Sequence, residues 1–220
     1  MIKGVIFDLD GLLIDSEPLW KEAEMKAFKE VGIELNLDMC AQTTGLDTND
    51  VVKHWYAYKP WDNLSFEEVK HNIEGNIIDL ILEKGNKKPG VDYIVNFFLD
   101  KNLPLAVASS SNTEIIETVL KKFEMRHHFQ VVHSSEHEAL GKPNPAVYIT
   151  TCQKLGINPT ETLAFEDSFY GLLAAKSARL KAVVVPDDGE FDNPKFIIAE
   201  AKLNSLKDFD EALWRKLGDE

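Results

Sequence analysis

The sequence predicts an α/β protein: a doubly wound, Rossmann-like parallel sheet with a helical domain inserted after its first strand. Three observations carry this expectation. Residues 2–7, 103–108, 129–132, 162–165 and 181–185 form short, almost uninterrupted apolar or β-branched runs. Such runs suit strands buried on both faces, as in a parallel sheet covered by helices. Helical patterns separate the last of these runs, the alternation that builds βαβ units. Between residues 7 and 103 nothing reads as a strand, whereas helix signals are plentiful.

Taken in order, the first strand ends at "FDLDG". Ser16 is then placed to cap a helix that has Pro18 in its first turn, Leu19, Ala23, Ala27 and Val31 on one face, and Gly32 as its stop. "SFEEVKHNIEGNIIDLILEKG" opens with a capping box, Ser65 with Glu68, and carries Val69, Ile73, Ile77 and Leu80 or Ile81 on one face up to Gly85. Residues 15–85 are therefore expected as a helical cap domain, with residues 1–14 and 86–220 forming the sheet domain. Residues 90–101 are expected as a helix leading back to the sheet. Beyond the second strand, Asn112 is placed to cap a helix with Ile115, Ile116, Val119, Leu120 and Phe123. "NPAVYITTCQKLG" offers Asn144 as cap, Pro145 at the first helical position and Gly156 as stop. "SFYGLLAAKSA" follows the fourth strand.

Bulk properties narrow the function classes. The 220 residues carry a net charge of −13, which argues against nucleic acid or an anionic membrane as partner, since both select clustered Lys and Arg. Cys40 and Cys152 lie far apart without any C-x-x-C, consistent with reduced thiols. The N-terminus lacks the features of a secretory signal, and no apolar stretch approaches the ~20 residues that span a bilayer. A cytoplasmic monomer is the expectation.

In open α/β sheets, ligands bind beyond the carboxyl ends of the strands. Strand one delivers Asp8 and Asp10 there, strand two Ser109, Ser110 and Ser111, the segment after strand three Lys142, and strand four Glu166 and Asp167. Clustered carboxylates must be protonated, spread apart or neutralised. Oxygen ligands with few nitrogen or sulfur partners suit Mg²⁺. A Ser at a helix start is an anion seat, and a lysine completes the charge balance. Together these groups describe phosphoryl transfer.

"DLDG", a Ser ending the second strand, "GKPNP" and "FEDS" stand in the order and context of the haloacid dehalogenase superfamily, and the chain resembles that family over essentially its whole length. "FDLDGLLIDSEPLW" is similar to the branch with a helical cap, which includes β-phosphoglucomutase and small sugar-phosphate phosphatases. The resemblance implies that Asp8 is the nucleophile and forms an aspartyl phosphate, and that Asp10 is the general acid and then base. It implies phosphate contacts from Ser109, Ser110 and Lys142. Mg²⁺ is then held by Asp8, the backbone carbonyl of Asp10, Glu166 and Asp167. The dehalogenases proper lack the acid at the position of Asp10, which favours phosphate esters here.

Hydrolysis and mutase chemistry share this site. Mutases of the branch carry His where Trp20 stands and Arg where the alignment places Thr48, so hydrolysis of a hexose or hexitol phosphate is preferred. A mutase and a non-catalytic binding module remain the alternatives. Asp15, Glu17, Trp20, Thr44 and Asp47 are the candidate substrate contacts of the cap, which is expected to close over the site. For Asp15 and Glu17 a place at a helix start is the competing reading. For Trp20 it is packing. "HSSEHE" lacks the H-E-x-x-H order of a zinc site, the aromatics Trp55, Tyr56, Tyr58 and Trp61 are expected to pack the cap, and "PDDGEFDNP" reads as a solvated loop.

Overall fold

The computed structural model describes every residue except Thr44, Asp188 and Glu220. Its contacts divide the chain into two compact units, Met1–Ile14 with Lys87–Glu220 and Asp15–Asn86.

The first unit is built on a six-stranded sheet in the order β3-β2-β1-β4-β5-β6, with every pairing parallel. The strands are β1 (Gly4–Phe7), β2 (Leu105–Ser109), β3 (Phe129–Ser134), β4 (Thr162–Glu166), β5 (Lys181–Val184) and β6 (Ala201–Lys202). The five strands expected from apolar runs are all present, with ends moved by one or two residues. β6 was not anticipated, because two residues leave no periodicity to read. β1 lies between β2 and β4, so the strand order reverses beside it, and this is where such sheets open a ligand crevice.

The pleat sends alternate residues to opposite faces. On one face Phe7 stacks on Phe165 with centroids 5.2 Å apart, and Phe98 and Phe209 close around them. On the other, Ile6, Ala106, Ala108 and Ala164 are small enough to seat Tyr148, Cys152 and Leu172.

The second unit contains α1 (Glu17–Glu30), α2 (Leu37–Cys40), α3 (Thr48–Tyr58) and α4 (Phe66–Lys84). The Ser65–Glu68 capping box is formed, and the predicted apolar faces of α1 and α4 are buried. Ser16, by contrast, makes no side-chain capping bond to α1. α3 was not singled out in the sequence. Its Trp55 packs edge-on to Phe28 at 6.4 Å, and Trp61 meets Phe28 at 5.9 Å. These rings supply the core that a helical insertion needs. Tyr58 is the exception, being exposed.

The sheet unit adds α5 (Val91–Leu99), α6 (Thr113–Lys122), α7 (Ala146–Leu155), α8 (Phe169–Ser177) and α9 (Glu211–Asp219). Asn112 caps α6 by accepting from the Ile115 N–H. Pro145, rather than Asn144, is the cap position of α7, while Asn144 Oδ1 takes the Ala146 N–H. Gly156 ends α7 in the left-handed conformation at φ 70°, as a helix stop requires. Both cysteines are buried and neither is part of a disulfide. Among the described residues no helix is long and apolar enough to cross a membrane.

Candidate active site

Parallel strands carry their last residues to one edge, and here those residues are polar or charged. Asp8 follows β1, Ser109 ends β2 and Glu166 ends β4. The β1 exit is held by the Asp8 N–H, which donates to the Phe165 carbonyl at 3.0 Å. Lys142 arrives from the segment between β3 and α7. Its Nζ donates to Asp8 Oδ1 and to Glu166 Oε1, each at 2.6 Å, and to the Ala108 carbonyl at 3.2 Å. One ammonium thus links two carboxylates that are almost without solvent, with Asp8 at 6% and Glu166 at 0% exposure.

Burial raises the Asp8 carboxyl to about 7, opposed by the Lys142 charge and reinforced by Glu166 and Asp10. Burial also pushes Asp167 well above the usual carboxylate range, helped by the charges of Asp8, Glu166 and Asp187. At Lys142 burial works against the charge, but Asp8 and Glu166 outweigh it and hold the ammonium more firmly than in water. Burial leads in all three shifts; the neighbouring carboxylates add to it at Asp8 and Asp167, while at Lys142 their attraction overcomes it.

Oxygens of Asp8, Glu166 and Asp167 lie within 4.8 Å of one another. Three features fit this trio to a hard cation. The donors are all oxygen, as Mg²⁺ prefers. Glu166 Oε2 is buried with no hydrogen-bond partner among the described residues, a costly state unless something else ligates it. Two glycines make room for the carboxylates: a Cβ on Gly11 would stand 2.0 Å from Asp167 Oδ2, and one on Gly171 would stand 2.0 Å from Glu166 Oε2. Gly11 also sits at φ 69°, where other residues are strained.

Asp10 is half-buried. Its Oδ2 accepts from Ser111 Oγ at 2.6 Å and, more weakly, from Ser109 Oγ at 3.4 Å. Ser109 Oγ also accepts the Ser111 N–H at 3.0 Å. Ser110, the other expected phosphate contact, is exposed. The structure therefore brings Asp8, Asp10, Ser109, Lys142, Glu166 and Asp167 to one edge of the sheet.

Three neighbours escaped the sequence reading. Ser111 was noted only as a strand-end hydroxyl, yet it holds Asp10. Tyr148 was counted within a helix, yet its hydroxyl donates to Glu166 Oε1. Asp187 lies in the segment read as a solvated loop; it pairs with Lys88 at 2.8 Å and its charge acts on Asp167. A carboxylate three residues beyond the end of β5, a buried strand of the same sheet, was the available signal for Asp187.

Three of the cap candidates, Glu17, Trp20 and Asp47, make contacts within their own unit. Asp15 is exposed. Glu17 pairs with Lys21 one turn on at 2.9 Å. Trp20 packs against the core of the helical unit. Asp47 caps α3 by accepting the Asp50 N–H at 3.0 Å. Thr44 lies outside the described residues. In "HSSEHE", His133 is buried and fully engaged: Lys154 Nζ meets Nδ1 at 2.9 Å and Glu138 Oε1 meets Nε2 at 2.7 Å. A lysine ammonium only donates, so Nδ1 accepts and the Nε2–H donates to Glu138.

Comparison with known proteins agrees with this geometry. The family profile described as haloacid dehalogenase-like hydrolase matches residues 5–185. Hexitol phosphatase B of Escherichia coli is 38% identical over 206 residues, 93% of each chain. A fructose-1-phosphate phosphatase of the same organism is 26% identical over 83% of this chain and 95% of its own. Among solved structures, a β-phosphoglucomutase from Clostridium difficile superposes with a TM-score of 0.85 at 20% identity, covering 100% of this chain and 98% of its own; at that identity the likeness concerns the fold. The chain belongs to the haloacid dehalogenase-like hydrolase family.

Proposed function

We propose that this protein is a Mg²⁺-dependent phosphatase that hydrolyses the phosphoric monoester of a small sugar or sugar alcohol through an aspartyl phosphate. The observation that carries the reading is the convergence of Asp8, Asp10, Lys142, Glu166 and Asp167 beyond the strand ends. The likeness to hexitol phosphatase B over nine-tenths of both chains supports the hexitol or hexose class of substrate.

In the first step an Asp8 oxygen attacks phosphorus and the bond to the leaving alcohol breaks. Asp10 gives its proton to the departing oxygen. In the second, water attacks the phosphoryl group and gives a proton back to Asp10. The bond to Asp8 breaks and phosphate leaves, so the enzyme returns to its starting protonation. Ser111 supports this role by holding Asp10 through Oδ2. Lys142, placed against Asp8, balances the charge of nucleophile and phosphate together. Asp8, Glu166, Asp167 and the Asp10 carbonyl are the groups that would hold Mg²⁺, which when bound screens the repulsion between a carboxylate and a phosphate. Ser109 and Ser110 would receive the phosphate oxygens.

The test is a panel of phosphorylated hexoses, hexitols and nucleotides, scored for released phosphate and for isomerised sugar phosphate. Phosphate release from a hexitol or hexose phosphate is expected to dominate. Isomerisation of glucose 1-phosphate faster than its hydrolysis would make the protein a mutase instead. Asp8→Asn is expected to abolish Mg²⁺-dependent turnover of an aryl phosphate, and retained activity would remove the nucleophile assignment. Asp10→Asn should cripple turnover while phosphate binding persists.

A further inference from the structure

Glu166 is the most enclosed of the clustered carboxylates, and its two oxygens are in different situations. Oε1 receives two donors, the Lys142 ammonium at 2.6 Å and the Tyr148 hydroxyl. Oε2 is buried with no hydrogen-bond partner among the described residues, and the carboxylate fills the room that a side chain at Gly171 would need. A carboxylate can turn about its last bond and exchange its oxygens. Something must therefore decide which oxygen is left for a cation.

Lys142 alone is a poor arbiter. Its three protons are already divided among Glu166, Asp8 and the Ala108 carbonyl. On the proposed mechanism its attention shifts further toward the phosphoryl group once that group sits on Asp8. Tyr148 has no such competing duty. Its side chain is fully buried on α7 against the small residues of the sheet face, so its ring has little freedom to move. The same ring lies under Lys142, with Nζ 5.1 Å from its centroid, within cation–π range.

We infer that Tyr148 is a positioning residue for the metal site: its hydroxyl occupies Glu166 Oε1 so that Oε2 is the oxygen presented to Mg²⁺, while its ring keeps Lys142 between Asp8 and Glu166. The inference rests on the Mg²⁺ reading above. Partners that orient a metal ligand in this way typically change metal affinity by about 10- to 100-fold when removed. A tyrosine that merely filled the core would not.

Tyr148→Phe preserves the packed ring and deletes only the hydroxyl. Mg²⁺ and Mn²⁺ binding is to be measured calorimetrically on the full-length protein and the variant, with the metal-free melting temperature recorded for both. The expected result is a dissociation constant raised about tenfold or more with the melting temperature little changed. An unchanged dissociation constant overturns the inference, whether or not the variant melts earlier. A double-mutant cycle tests the route of action: with Glu166→Gln in place, Tyr148→Phe should cost no further affinity. Equal losses in both backgrounds overturn the assignment, because Tyr148 would then act elsewhere. Absence of Mg²⁺ and Mn²⁺ binding by the unmodified protein would instead sink the metal reading itself, and this inference with it.

Discussion

Replacing Glu24 by Gln should abolish a pH-dependent loss of stability that the unmodified protein suffers near neutrality. Glu24 lies on α1 and is only 9% exposed. Its Oε2 has no hydrogen-bond partner among the described residues. Burial raises its carboxyl from 4.5 to about 7, with the Glu17 charge adding to the rise and Thr43 and Lys21 opposing it. For an acid whose pKa is higher folded than unfolded, the folded state binds more protons between the two values. Stability is thus fully present below about 4.5 and falls as pH rises through about 7. The shift corresponds to roughly 3 kcal/mol in all, of which about 2–3 kcal/mol is lost between pH 5 and pH 8. Glutamine has the same shape and no titration. Urea unfolding of both chains at pH 5 and pH 8, followed by tryptophan fluorescence, isolates the term. Other carboxylates titrate in both chains and cancel in the difference. The variant should gain about 2–3 kcal/mol relative to the unmodified protein on going from pH 5 to pH 8. Parallel behaviour of the two chains would refute the reasoning, since Glu24 would then titrate as it does in the unfolded chain.

Two further expectations concern the candidate metal site. Gly171→Ala places a Cβ 2.0–2.2 Å from the Glu166 carboxylate atoms, so that carboxylate must shift; the Mg²⁺ concentration that half-saturates turnover should rise about tenfold or more, and an unchanged value would show that Glu166 is not a ligand. Asp167→Asn removes one of three carboxylates whose oxygens lie within 4.8 Å of one another; the metal-free protein should gain about 1 kcal/mol or more in stability while losing the rise in melting temperature that Mg²⁺ gives the unmodified chain, and a drop in metal-free stability would mean that Asp167 is held by structural contacts instead.

The fold was legible where burial writes a long pattern. Residues 103–108 and 162–165 read as strands because both faces are covered, and the Val69–Ile73–Ile77 face of α4 recurs at helical spacing over about two turns. Short elements left no such trace: β6 pairs two residues with β5, and α2 spans four. Caps depended on geometry that spacing does not carry. Asn112 caps α6 as expected, whereas Ser16 adopts a helical conformation, φ −97° and ψ −17°, and makes no side-chain capping bond to α1. At the site, the charged residues other than Asp187 were visible because charges at the ends of apolar strands are conspicuous. Tyr148 and Ser111 were not, because a tyrosine on an apolar helix face and the third serine of a run look ordinary until the chain is folded.

That asymmetry follows from how the site is sustained. Lys142 is shared among Asp8, Glu166 and the Ala108 carbonyl, so one ammonium serves a cluster of three carboxylates. What remains is managed by neutral groups. Ser111 donates to Asp10, Tyr148 donates to Glu166, and the absent side chains of Gly11 and Gly171 leave space for Asp167 and Glu166. Each comes from the connection that follows a different strand: β1 supplies Gly11, β2 Ser111, β3 Lys142 and Tyr148, β4 Gly171. A buried polar network is stable only when every member is satisfied, so these connections act together rather than singly. An open parallel sheet suits this division of labour, because all its strands end at the same edge while each connection varies by itself. A change in any one connection should therefore be felt first at the carboxylate it serves and only then in the chemistry, and the separation of metal affinity from turnover in the variants above is where that order becomes measurable.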